Sequence, residues 1–194
     1  MRIQEIWRAR AIWWSLLLAG SGADATVMCV SSANLDVPAT SEGLYVNLVT
    51  GVSGTTEASV PGFDIDIYAA VSTNPSGQMR FYWGPAATGG AGVVSSGDSY
   101  LALGPGAIIG PDSIFSRAAF TGDTSAWQVG TTAYLGMRFL NESGASTTYG
   151  WIQLGTSAPL GFPATILSWC YEDSGAAITT PGGTPDAIFA DGFE

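Results

Sequence analysis

The chain has no histidine and no lysine, and all six of its basic residues are arginine. Without imidazole there is no Ser-His-Asp or Cys-His nucleophile pair, no imidazole metal site and no neutral-pH proton shuttle. Most familiar hydrolase mechanisms are closed on that ground. Without lysine there is no Schiff base and no phosphate-gripping ammonium. Sixteen acids against six arginines give a net charge of −10, a field that repels phosphate backbones and excludes nucleic acid and anionic membrane surfaces as partners. Nor does any period of twenty to fifty residues repeat, so solenoids and propellers are out.

Long apolar runs are also missing. Arg2, Arg8 and Arg10 precede a short one, Ala11 to Ala19, which is followed by Gly-Ser-Gly-Ala-Asp-Ala. A membrane span needs roughly 20 apolar residues, so this segment reads as a secretory signal peptide with an A-x-A-like cleavage site near Ala23-Asp24-Ala25. Cys29 follows Thr26-Val27-Met28 and lacks the small residue before it that lipid attachment requires. Removing residues 1–25 leaves three arginines, Arg80, Arg117 and Arg138, against fourteen acids, a net charge of −11. The expected location is secreted or cell-surface, with no membrane insertion after cleavage. Two cysteines remain in an oxidising compartment, and an even count there predicts a disulfide between Cys29 and Cys170 that ties the first strand to the last; the alternative is a pair of buried thiols.

The remaining 169 or so residues suit one domain. Short strands alternate with Gly, Pro, Ser and Thr clusters. Leu44 to Val49 is one; in Phe63 to Tyr68, Phe63, Ile65 and Ile67 alternate with Asp64, Asp66 and Tyr68, the period of a half-buried strand. Met79, Phe81 and Trp83 alternate with Arg80 and Tyr82, and Leu135, Met137 and Phe139 share a face of Ala133 to Leu140. Tyr149 to Leu154 and Thr165 to Tyr171 read as further strands, and no segment of ten residues carries a helical stripe. The pattern predicts an all-β fold, a two-sheet antiparallel β-sandwich of jelly-roll type over residues 26–178, with a closed barrel second. Residues 179–194 open on Thr-Thr-Pro-Gly-Gly-Thr-Pro and read as a flexible linker and C-terminal tail, ending in Ile188, Phe189 and Phe193 among Asp186, Asp191 and Glu194.

Several of these strands carry short motifs: Val46-Asn47-Leu48-Val49-Thr50-Gly51, Gly62-Phe63-Asp64-Ile65-Asp66, Phe81-Tyr82-Trp83, Tyr134-Leu135-Gly136-Met137-Arg138-Phe139, Tyr149-Gly150-Trp151-Ile152 and Trp169-Cys170-Tyr171-Glu172. In this order, over residues 44–178, the chain resembles a group of exported bacterial β-sandwich domains that often carry a surface-sorting tail of the Pro-Glu-Pro (PEP-CTERM) type. The tail departs from that pattern, since no Pro-Glu-Pro, apolar helix or basic end follows Ile178; an acidic-aromatic ending stands there instead. The resemblance implies location and fold and leaves activity open.

Three constellations are candidates for chemistry. Asp64 and Asp66, two apart on a strand, would lie on one face ~7 Å apart, a separation that suits part of a weak Ca²⁺ site of roughly 0.1–1 mM or a glycosidase carboxylate pair. The bland alternative is two side chains facing water. Tyr82, Trp127, Tyr134, Tyr149 and Trp151 fall opposite the aliphatic residues of their strands, an exposed row of rings of the kind that stacks on sugars; the alternative is core or an inter-sheet lid, with Arg138 as a cation–π partner inside it. Gly104-x-Gly106-x-x-x-Gly110, bracketed by Pro105 and Pro111, is a loop, and Asn141-Glu142-Ser143 sits at a hairpin tip. The expected function is therefore an exported structural or interaction domain without catalysis or required cofactor. A carbohydrate-binding module that contacts polysaccharide or cell-surface components is second, and a carboxylate-dependent glycosidase a distant third.

Overall fold

The computed structural model describes residues 26–83, 91–116, 122–144 and 146–182. The expected signal peptide, most of the expected tail and Arg117 lie outside them. The fold is an antiparallel β-sandwich. Its large sheet runs in the order β1 (Val27–Val30), β13 (Ala164–Glu172), β12 (Ser146–Gly155), β11 (Thr132–Asn141), β7 (Gly92–Ser96) and β10 (Phe115–Ser116); β2 (Leu35–Val37) also pairs with β13, and β8 (Ser99–Tyr100) with β7. The facing sheet runs β4 (Ser53–Gly54), β3 (Leu44–Val46), β5 (Ile65–Ala70) and β6 (Gln78–Tyr82). A separate two-strand ribbon, β9 (Ile108–Ile109) with β14 (Ile178–Thr179), completes the set.

Alternation along the strands builds the core between the sheets. Leu135, Met137 and Phe139 of β11, Ile152 and Leu154 of β12 and Ile166 of β13 face Val46, Ile65, Ile67, Met79 and Phe81 of the other sheet, all buried. A bulge between Gln153 and Leu154 shifts the register of β12 on β13, so Ile166 opposite Leu154 and Trp169 opposite Ile152 both join the same core. The expectation at Trp127 is corrected here. Instead of standing in an exposed row, it sits on α1 (Ser125–Gln128), fully buried, with its ring 5.9 Å edge-on from Phe81. Thr124 fixes that short helix: its hydroxyl donates to Met79 O at 2.6 Å and accepts from Arg80 Nη1 at 2.6 Å.

A second apolar cluster lies on the outer face of the large sheet. Ile109 and Ile178, opposite each other in the ribbon, cover Val94, Trp151 and Cys170. Gly136 permits that approach, because a Cβ there would stand 2.7 Å from Val94 Cγ2 and 2.8 Å from Leu103 Cδ1. The ribbon also moves the boundary expected at residue 179. Thr179 pairs with Ile108, and buried Thr180 accepts from Ala107 N–H at 2.8 Å and donates to Gly104 O at 2.9 Å, so the sandwich keeps the chain two residues longer.

Cys29 and Cys170 form a disulfide across directly opposed positions of β1 and β13, with Cα atoms 4.1 Å apart. It joins an edge strand whose four side chains are all exposed to a strand of the core. No helix among the described residues is long and apolar enough to cross a membrane.

Candidate functional site

Asp64 and Asp66 do not share an open face. Asp64 precedes β5 and is only 4% exposed; its Oδ2 accepts the Leu48 N–H at 2.7 Å, inside a turn that Asn47 shapes by accepting Val49 and Thr50 N–H. Trp169 Nε1 donates to Leu48 O from the opposite sheet at 3.0 Å, closing the turn over the carboxyl. Asp66 lies on the outer face of the small sheet between Tyr45 and Tyr82, at 3% exposure, and its Oδ1 has no hydrogen-bond partner among the described residues. Gly43 (φ +55°) makes room for it, since a Cβ there would be 2.7 Å from that oxygen and 2.1 Å from Ile67 O.

Burial pushes both carboxyls up to about 8. For Asp64 the Leu48 N–H works against desolvation and Glu142 adds to it; for Asp66 the exposed Glu42 adds and the Leu44 N–H opposes. Each aspartate thus answers to a different set of neighbours, and neither is perturbed by the other. The raised carboxyl pKa values have no cause in local sequence and come from enclosure by distant segments. A glycosidase pair or shared Ca²⁺ ligands would need both groups presented to one cleft, and this arrangement does not fit either use. No group of three or more His, Cys, Asp or Glu among the described residues could hold a metal ion.

The rings sort differently. Tyr134, Tyr149 and Trp151 do come together, on the outer face of the large sheet. Tyr134 meets Trp151 edge-on at 5.2 Å, and Tyr149 lies 5.9 Å from Phe115 with the planes tilted by 33°. Trp151 is buried under the β9–β14 ribbon, whereas Tyr134, Tyr149 and Phe115 stay half-buried at its margin. Arg138, opposite Tyr149 in the β11–β12 register, places its Cζ 5.0 Å from the Phe115 centroid. Tyr82 stands apart on the other sheet, 5.7 Å from Phe63, which in turn meets Tyr45 edge-on at 4.9 Å.

Sequence reading missed Phe115 as a member of this surface. β10 is two residues long, too short for a period to show, and only its pairing with Val94 on β7 brings the ring beside Tyr149. An apolar cleft of about 130 Å³ between β1 and the 47–51 turn, lined by Met28, Val30, Leu48 and Trp169 with Thr50 and Tyr171, contains no ionisable carboxylate or cation and offers less chemistry. No family model matches the chain, nor does any curated protein or solved structure.

Proposed function

We propose that this chain is an exported interaction domain, without catalysis of its own, that recognises polysaccharide on the outer face of the large sheet. One observation carries the reading: Tyr149 and Phe115 stand side by side, half-exposed, with the Arg138 guanidinium seated against the second ring. Rings held on paired strands offer a flat apolar surface to the C–H face of a pyranose at little entropic cost, because packing has already fixed their rotamers. Arg138 adds polar donors at the margin. Tyr134 extends the same face beyond Trp151.

Export is supported by the arginine-flanked apolar run ahead of residue 26 and by the Cys29–Cys170 bond, which persists in oxidising compartments. The resemblance to exported bacterial β-sandwich domains points the same way. The absence of catalysis is argued from the carboxyls: Asp64 is committed to Leu48 inside a closed turn and Asp66 lies on the other sheet, so neither reaches the ring surface.

Affinity gel electrophoresis against neutral and acidic polysaccharides tests the proposal. Migration of the wild-type chain should be retarded by at least one polymer, and Tyr149→Ala or Phe115→Ala should abolish the retardation without unfolding the protein. Retardation unchanged in both variants would contradict it.

A further inference from the structure

We infer that the saccharide taken by this face is carboxylated, a polymer of uronic acid, and that Arg138 selects it. The inference rests on the saccharide reading above and adds the class of sugar. It begins from the scarcity of cations: six arginines and no lysine in the chain, three of the arginines ahead of residue 26 and Arg117 outside the described residues. Arg80 is engaged, donating to Thr124 Oγ1 at 2.6 Å and to Gln78 Oε1 at 3.4 Å. Arg138 is not. It is half-buried against Phe115, and among the described residues no carboxylate or carbonyl accepts a hydrogen bond from it.

A guanidinium stacked on a ring keeps its N–H donors pointing outward in its own plane, a fork that matches the two oxygens of a carboxylate. Gly92 lies opposite Arg138 on β7 and carries no side chain over that side of the guanidinium, where a Cβ would stand 3.6 Å from Nε. The acid next in register, Glu172 beyond Tyr149, is engaged in the following turn. Its two oxygens accept Ser174 N–H at 2.9 Å and Ala176 N–H at 2.6 Å. A uronate carries its carboxylate at the edge of a pyranose whose C–H face stacks on an aromatic ring, and Tyr149 and Phe115 lie beside Arg138 to receive that face. The chain's net charge of −10 repels such a polymer at long range, as it does phosphate backbones, so binding must come from contacts made at the surface itself. Recognition is therefore local, within the ~8 Å screening length of physiological salt.

The test compares polygalacturonate with the same polymer after its carboxyls have been reduced to alcohols, using the full chain and affinity electrophoresis or calorimetry. Binding to polygalacturonate should be at least about ten-fold tighter, and Arg138→Gln should erase that difference while Arg138→Lys restores part of it, as expected if fork geometry matters beyond charge. Melting curves of the two variants establish that each is folded. Equal binding to both polymers, or a preference that survives Arg138→Gln, overturns the inference and leaves the saccharide surface standing. Equal retention by dextran sulfate overturns it too, because it would show a site for any anion. Binding to no polysaccharide overturns the underlying reading and the inference together.

Discussion

Cys29→Ala would cut the link between an edge strand that buries none of its side chains and a strand of the core. The bond closes a loop of 141 residues, for which the chain-entropy model gives about 5 kcal/mol of stabilisation, acting through the unfolded chain. Since Cys29 is exposed, its truncation leaves no cavity, and the entropic effect stands nearly alone. For a domain of this size each kcal/mol moves the melting temperature by roughly 2–4 °C, so the variant should melt roughly 10–20 °C lower, an upper figure because unfolded chains retain some structure. Circular dichroism melts of wild type, variant and dithiothreitol-treated wild type measure this directly. The far-UV spectrum should hardly change, and hydrogen exchange should rise at residues 26–34 while the β11–β12–β13 core stays protected. A variant melting within about 3 °C of wild type, or two thiols titrating freely in the native protein, would mean the bond contributes little or is not formed.

The buried aspartates set a pH dependence of known sign. Both carboxyls are pushed up to about 8 in the folded chain against an ordinary 3.8, so the folded state holds its protons more tightly, and stability should be greatest at and below about pH 4 and fall as the pH rises through about 8. Asp66→Asn should flatten that fall in a series of melts, and a melting temperature that climbs from pH 5.5 to 8.5 would contradict it. Trp127→Ala, at a fully buried ring, should cost about 3–5 kcal/mol, whereas Tyr149→Ala at the margin of the ribbon should cost far less; similar losses by chemical denaturation would mean that Tyr149 is core. Gly43→Ala forces a Cβ against Ile67 O at a left-handed position and should lower the melting temperature markedly, with an unchanged melt counting against the packing described around Asp66.

Strands were legible wherever one face met the core and the other did not. Leu135, Met137 and Phe139 announce β11, and Ile65 and Ile67 announce β5, since a period of two survives when only one side is buried. The disulfide was legible from cysteine count and compartment. Burial of the alternate face was not, because it depends on segments far away in sequence. Asp64 is enclosed by Leu48 and Trp169, and Trp151 by Ile109 and Ile178 from strands only two residues long. Trp127 was misplaced because a four-residue helix carries no stripe to read. Of the ring surface, Tyr134 and Tyr149 could be named from alternation, whereas Trp151, expected beside them in the exposed row, is buried under the ribbon. Phe115 and the seat of Arg138 needed the β7–β10 pairing, and Tyr82 proved to belong to the other sheet.

An amide chemical-shift titration of the isotope-labelled protein with oligogalacturonate shows whether Arg138, Tyr149 and Phe115 form one binding surface. Saturable shifts should cluster on residues 92–94, 115–116, 134–138 and 149–151, leaving the 63–68 and 78–82 strands still. Shifts confined to the small sheet around Tyr82 and Asp66, or none at millimolar ligand, would rule that surface out.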